Sequence, residues 1–192
     1  MKFRDLTADD IEVRVQSVKQ NGLVLLLYKN ARVDMAILDE EVGPECWQRE
    51  HYECKGNLFC RVGIDINYRH AELDPVWVWK SDCGVESNTE AQKGEASDSF
   101  KRACFNWGVG RELYTAPFIW IPSSKCNITE AGKDKYGKPI YKSYDKFVVE
   151  KIAIENKRIV GLSIVNTSLQ AEKISDKRVY LMKPEVKNET AV

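Results

Sequence analysis

The stretch Thr89-Glu90-Ala91-Gln92-Lys93-Gly94-Glu95-Ala96-Ser97-Asp98-Ser99-Phe100-Lys101-Arg102-Ala103-Cys104-Phe105-Asn106-Trp107-Gly108 holds the clearest helical pattern in the chain. Ala96, Phe100, Ala103, Cys104 and Trp107 recur at three- and four-residue intervals, which puts them on one apolar stripe. Thr89 with Gln92 three residues on forms a capping box, and Gly108 suits the left-handed residue that ends a helix. The pattern predicts a helix over 89–107. Its small residues Ala91, Gly94, Ala96, Ser97 and Ser99 allow another backbone to approach closely. Gly94 costs about 1 kcal/mol of helix propensity relative to Ala. Packing against the domain's own sheet is the commoner reason for such a face; a neighbouring subunit is the other.

Upstream of this helix, three segments rich in β-branched and aromatic residues predict strands: Trp47 to Glu53, Leu58 to Asn67 and Val76 to Lys80. Lys55-Gly56-Asn57 and the polar stretch around Glu72-Leu73-Asp74-Pro75 separate them. Before them, Val33, Met35, Ile37, Leu38 and Val42 fit one helical face over 31–42, stopped by Gly43-Pro44. Nearer the N-terminus, Ile11, Val13 and Val15 alternate with polar residues, Asn21-Gly22 marks a turn, and Leu23 to Tyr28 follows as a second strand. Thr7 to Asp10 could instead open a helix through a capping box, but the alternation favours the strand.

Downstream, Pro117 and Pro122 bracket a short apolar segment, Phe118 to Ile121. Ser123 to Lys142 is polar, carries Gly132, Gly137 and Pro139, and reads as a long mobile loop. Phe147 to Ile154 and Ile159 to Val165 read as a hairpin around Glu155-Asn156-Lys157-Arg158, and Val179 to Met182 as one more strand. Lys183 to Val192 reads as a frayed tail. No internal repeat or low-complexity tract interrupts this order. The expected class is α+β: an N-terminal β-hairpin and helix, a β-β-β-α core, and a C-terminal β-hairpin. The expected division is a core domain over 1–122, a loop and hairpin extension over 123–182, and a flexible tail over 183–192.

The 192 residues carry 29 basic and 29 acidic side chains, so the net charge is zero. Nucleic-acid binding therefore cannot rest on global charge and requires a local concentration of Lys and Arg. Six cysteines lie apart, with no C-x-x-C pair; they suit a reducing compartment and small-hydrophobe roles. Cys46, Cys54 and Cys60 near His51 form a metal cluster only without the tight pairs usual for zinc. The longest apolar run, Leu23 to Leu27, is too short to span a membrane, and no signal segment follows Met1. Two histidines offer no triad, and no phosphate-binding loop is present, so neither hydrolysis nor ATP use is expected. Asp39 with Glu53 and Lys55 matches the acidic site of some metal-dependent nucleases only loosely.

Two groups of cations stand out. On the 89–107 helix, Lys93, Ser97 and Lys101 share a face, with Arg102 beside them. Adjacent cations can neutralise successive phosphates, although a solvated face with cations at the helix C-terminus explains them at least as well. On the first hairpin, Arg14 and Tyr28 with Lys29 and Arg32 combine an aromatic with cations, as a single-strand groove would. A half-buried tyrosine and charge-protected edge is the plainer reading. The tryptophans are more often core residues than base platforms.

Asp82-Cys83-Gly84 followed by Asp98-Ser99-Phe100-Lys101-Arg102-Ala103 resembles the signature of the Rad-fifty-two (Rad52) family of single-strand annealing proteins. Ala31-Arg32-Val33 through Gly43 to Trp47 is similar to the family's Arg-Val helix, in the same order. Gly110-Arg111-Glu112-Leu113-Tyr114 through Pro117 to Trp120 looks more like its phage and prophage, Sak-like, branch. The resemblance covers roughly residues 11 to 120. It implies a β-β-β-α core, assembly into rings, and ATP-independent annealing of complementary strands on single-stranded DNA held in a basic groove. It implies no catalytic residues, no metal and no cofactor. Carried over, Lys101 and Arg102 match the family's DNA-contacting pair, Arg14 a groove arginine, Tyr28 a groove tyrosine and Lys93 a helix lysine. Phe105 stands where eukaryotic members carry another arginine, so either DNA is held by fewer cations or Arg111 or Lys80 substitutes. The expected partners are single-stranded DNA, further copies of the chain, and a single-strand binding protein or recombinase; no membrane is expected. The expected setting is the cytoplasm of a bacterial cell, host- or phage-encoded. Two other readings stay open: a metal-dependent nuclease, and an adaptor that recruits repair proteins.

Overall fold

The computed structural model describes residues 1–70, 72–85 and 91–184. The chain forms two compact units: residues 1–5 with 30–111, and residues 6–29 with 112–192.

In the first unit, α1 spans Ala31–Val42. The Asn30 side chain accepts from Arg32 N at 2.9 Å and caps its first turn. Ile37, Leu38 and Val42 form its buried stripe. Three antiparallel strands follow in the order β3 (Trp47–Cys54), β4 (Asn57–Asp65) and β5 (Trp77–Cys83). Cys60, Val62 and Ile64 alternate to the buried face of the central strand β4. Across that face lies α2, Ala91–Trp107, whose Phe100, Ala103 and Cys104 are fully buried. This is the β-β-β-α order that the sequence pattern predicts. Its described residues lie within the predicted span, and Gly108 closes it at φ +98°, a conformation that favours glycine. Thr89 lies outside the described residues, and so does its capping box with Gln92.

The second unit is built on a six-stranded sheet in the order β11-β10-β9-β1-β2-β6. Its strands are β1 (Glu12–Lys19), β2 (Gly22–Tyr28), β6 (Ile119–Pro122), β9 (Phe147–Glu155), β10 (Arg158–Asn166) and β11 (Arg178–Met182). Leu23, Leu25 and Leu27 alternate into the core with Ile119, Ile121, Leu162 and Ile164. A one-turn 3-10 helix, Ala8–Asp10, precedes β1, and the Asp10 carboxylate accepts from Thr7 N at 2.8 Å. The turn and the strand, alternatives in the sequence, thus occur in succession. The Glu112 carboxylate, fully buried, accepts from Leu6 N at 2.7 Å and so anchors the entry to this unit.

Strand pairing runs across residue 122, where the sequence places the end of the core domain. The N-terminal hairpin pairs with β6 through β2 and with β9 through β1, so it belongs to one sheet with the C-terminal strands. Hydrogen bonding across the sheet, rather than position along the chain, sets the grouping. A second difference lies in 123–142, expected as a mobile loop. It holds a short 3-10 turn, Ser123–Lys125, and a two-stranded hairpin of β7 (Thr129–Lys133) and β8 (Pro139–Lys142). Residues 185–192, most of the expected tail, lie outside the described residues. No helix among the described residues is long and apolar enough to cross a membrane.

Candidate nucleic-acid interface

The junction between β5 and α2 explains the Asp82-Cys83-Gly84 and Asp98-to-Ala103 motifs physically. Gly84 N donates to Leu58 O at 3.0 Å, while a Cβ built on Gly84 would stand 2.2 Å from the Glu95 carbonyl oxygen. Only glycine lets the strand end approach the helix backbone so closely. Glu95 accepts from Leu58 N at 3.0 Å, and Asp98 accepts from Val85 N at 3.2 Å. Asp82 reaches the Arg102 guanidinium at 3.2 Å. Both motif carboxylates therefore fasten strand to helix.

Three cations gather around the last turn of α2. Lys80 donates to Asn106 O at 2.9 Å, its amine 4.4 Å from the centre of the Trp107 ring. Arg111 donates to Phe105 O at 3.0 and 2.7 Å and to Asn106 O at 3.2 Å. Both cap carbonyls at the negative end of the helix dipole. Arg102, one turn back, keeps 39% of its side chain exposed beside Asp82. Trp107 holds the turn in place by donating from its indole to Val62 O at 2.9 Å. Arg111 makes these bonds through Nε and Nη2, which leaves its Nη1 donors outside them. A phosphate placed at this turn would meet several N–H donors and one nearby carboxylate. Lys80 and Arg111, the two candidates to substitute for an arginine at the Phe105 position, both donate to backbone carbonyls of this turn.

Lys101 and Lys93 lie apart from Arg102. Neighbours on a helix point about 100° apart, so Lys101 and Arg102 cannot share a face. Arg102 is half-buried, whereas Lys101 is 4% exposed, its amine 3.9 Å from Asp98. Lys101, expected as a phosphate contact, thus has its amine in the interior of the unit. Lys93 is exposed but lies about 13 Å along the helix axis from Arg102, at 1.5 Å per residue. It does not join the cluster.

In the second unit, the β1–β2 register brings Arg14 and Tyr28 together. The Arg14 guanidinium carbon lies 3.9 Å from the centre of the Tyr28 ring, and Arg14 pairs with Glu12 at 2.9 Å. Arg14 keeps 57% of its side chain exposed, and its cross-strand partner Leu26 is also exposed. The pair is a stacked cation and aromatic on an open sheet face.

Nothing in the described residues assembles a metal centre. No group of three or more His, Cys, Asp or Glu side chains comes together among them. His51 Nε2 lies 3.1 Å from Ala96 O, and Asp39 accepts from the Trp47 indole at 2.6 Å. All six cysteines are free thiols. Burial pushes the Cys60 thiol up to about 11, which keeps it protonated and unreactive at neutral pH.

The sequence missed one element here, the β7–β8 hairpin. Its short strands lack apolar alternation, and the only available signal was the spacing of lysines and tyrosines over 125–146.

The sequence profile of the Rad52/22 family, described as double-strand break repair proteins, matches residues 4–130. That span includes α1, the β-β-β-α core, Arg14, Tyr28 and the α2 cluster. No curated protein and no solved structure matches the chain significantly. With well over half its length matched, the chain belongs to the Rad52/22 family, whose work is DNA double-strand break repair and recombination.

Proposed function

We propose that the protein binds single-stranded DNA and anneals complementary strands without nucleotide hydrolysis, as a ring-shaped homo-oligomer. The observation that carries this reading is the gathering of Lys80, Arg102 and Arg111 around one helix end in a chain of zero net charge. Family membership makes annealing the natural use of such a cluster. Phosphates contacted there release counterions, which drives sequence-independent binding. The Arg14–Tyr28 pair offers the complementary chemistry of a cation for phosphate and a ring for a base. Neutralising one strand lowers its repulsion for the second while its bases remain free to search. No residue acts on a covalent bond in this mechanism. The Sak-like branch and a single-strand binding protein or recombinase as partner belong to the same proposal.

The test is a fluorescence annealing assay with two complementary oligonucleotides, without ATP or metal, at low and high salt. Acceleration that weakens with salt is the expected result, with light scattering reporting an assembly of many chains. No acceleration by the folded protein would overturn the reading.

A further inference from the structure

The β7–β8 hairpin is open to solvent: every residue of β7 is exposed, and so is most of β8. Residues 125–146 carry Lys125, Lys133, Lys135, Lys138, Lys142 and Lys146 against Glu130, Asp134 and Asp145. A chain that is neutral as a whole thus concentrates a net positive charge on this hairpin and its flanks.

Two of the three carboxylates hold the hairpin's shape. Asp134 accepts from Tyr136 N at 2.8 Å and Lys138 N at 2.9 Å, closing the turn in which Gly137 has φ +79°. Asp145 accepts from Asn127 N, Asn127 Nδ2 and Asn166 Nδ2 at 2.7 to 2.9 Å, tying the base to β10. Among the described residues, none of the six lysines has a carboxylate within 4.0 Å. Tyr136 and Tyr144 hold their rings 75% and 80% exposed, and the Lys135 amine lies 5.0 Å from the centre of the Tyr136 ring.

We propose that this hairpin is a second single-stranded DNA contact, in which lysines hold phosphates and Tyr136 and Tyr144 stack on unpaired bases. The inference rests on the annealing reading above, but not on the family match, because the hairpin past residue 130 lies outside the matched residues. Lysines with no carboxylate beside them bind phosphate without first breaking an ion pair, so the full counterion release is available. Rings held in water can stack only on bases that are themselves unstacked, which selects single strands over duplex.

The test uses the full chain and a fluorescein-labelled oligo(dT), with binding followed by anisotropy across a salt series. Lys133→Ala, Lys135→Ala, Lys138→Ala and Lys142→Ala combined are expected to weaken binding. They should also reduce the slope of log affinity against log salt by about 3, at roughly 0.7 per phosphate lost. Tyr136→Ala with Tyr144→Ala is expected to weaken oligo(dT) binding about thirtyfold or more, to leave duplex binding unchanged, and to be rescued by Phe at both positions. A lysine variant with the affinity and slope of the parent would overturn the inference, while oligo(dT) binding by the parent chain would leave the annealing reading standing. Tyrosine variants that lose duplex and oligo(dT) alike would overturn the single-strand assignment. A parent chain that binds no oligo(dT) would remove both readings together.

Discussion

The end of α2 and the β7–β8 hairpin both present cations, but their charges are held in opposite ways. Around α2, Arg102 faces Asp82, Lys101 is buried near Asp98, and Lys80 and Arg111 cap helix carbonyls. Each of these side chains does structural work as well as carrying charge. On the hairpin, the carboxylates cap backbone amides and the lysines extend into solvent. Substitutions in the first region are therefore expected to disturb the fold along with the proposed binding. In the second they should separate the two, since an exposed side chain with no partner contributes little to stability.

The largest expected effect is Lys101→Glu. Reversal puts a carboxylate in the interior beside Asp98, and an uncompensated buried charge costs about 3–5 kcal/mol. A denaturant melt would detect it; an unchanged midpoint would place Lys101 at the surface and break the contrast. Gly84→Ala is expected to cost about 1–3 kcal/mol, because its methyl would collide with the Glu95 carbonyl. Normal stability in that variant would mean that the β5–α2 junction can open without penalty.

An acid titration sharpens the comparison within the second unit. Hydrogen bonds from Arg178 and Ser163 hold the Glu150 carboxyl down at about 2. A lowered folded-state value contributes stability that is fully present above the usual carboxylate range near 4.5 and is lost as pH falls toward 2. Glu150→Gln should therefore melt below the parent at neutral pH, with the gap closing as the parent is acidified through that window. A gap that stays constant with pH would assign the effect to packing instead. The smallest expected effect is on the melt of the hairpin variant carrying four Lys→Ala changes, within about 0.5 kcal/mol of the parent. A large loss of stability there would show that the hairpin supports the fold and would blur the two regions.

The helix over 31–42, the three strands and the helix after them were legible because each buries one face, and burial writes a period into the sequence. The hairpin at 129–142 was not, because both its faces meet solvent and no apolar alternation is required. The membership of the N-terminal hairpin was hidden for another reason. Strand pairing over more than a hundred residues, as between Glu12 and Val148, leaves no local trace.

Among the site residues, the sequence by itself determined which side chains are cationic, that Arg14 and Tyr28 lie on paired strands, and that Asp82, Gly84 and Asp98 precede the Lys-Arg pair in a fixed spacing. Tertiary structure alone decided which of those cations is available. A helix turns about 100° per residue, so packing α2 on its sheet sends Lys101 inward and leaves Arg102 half-exposed. The same packing brings Lys80 from β5 and Arg111 from beyond Gly108 to one turn. Charge is a property of the residue, but access to it is a property of what the residue is packed against.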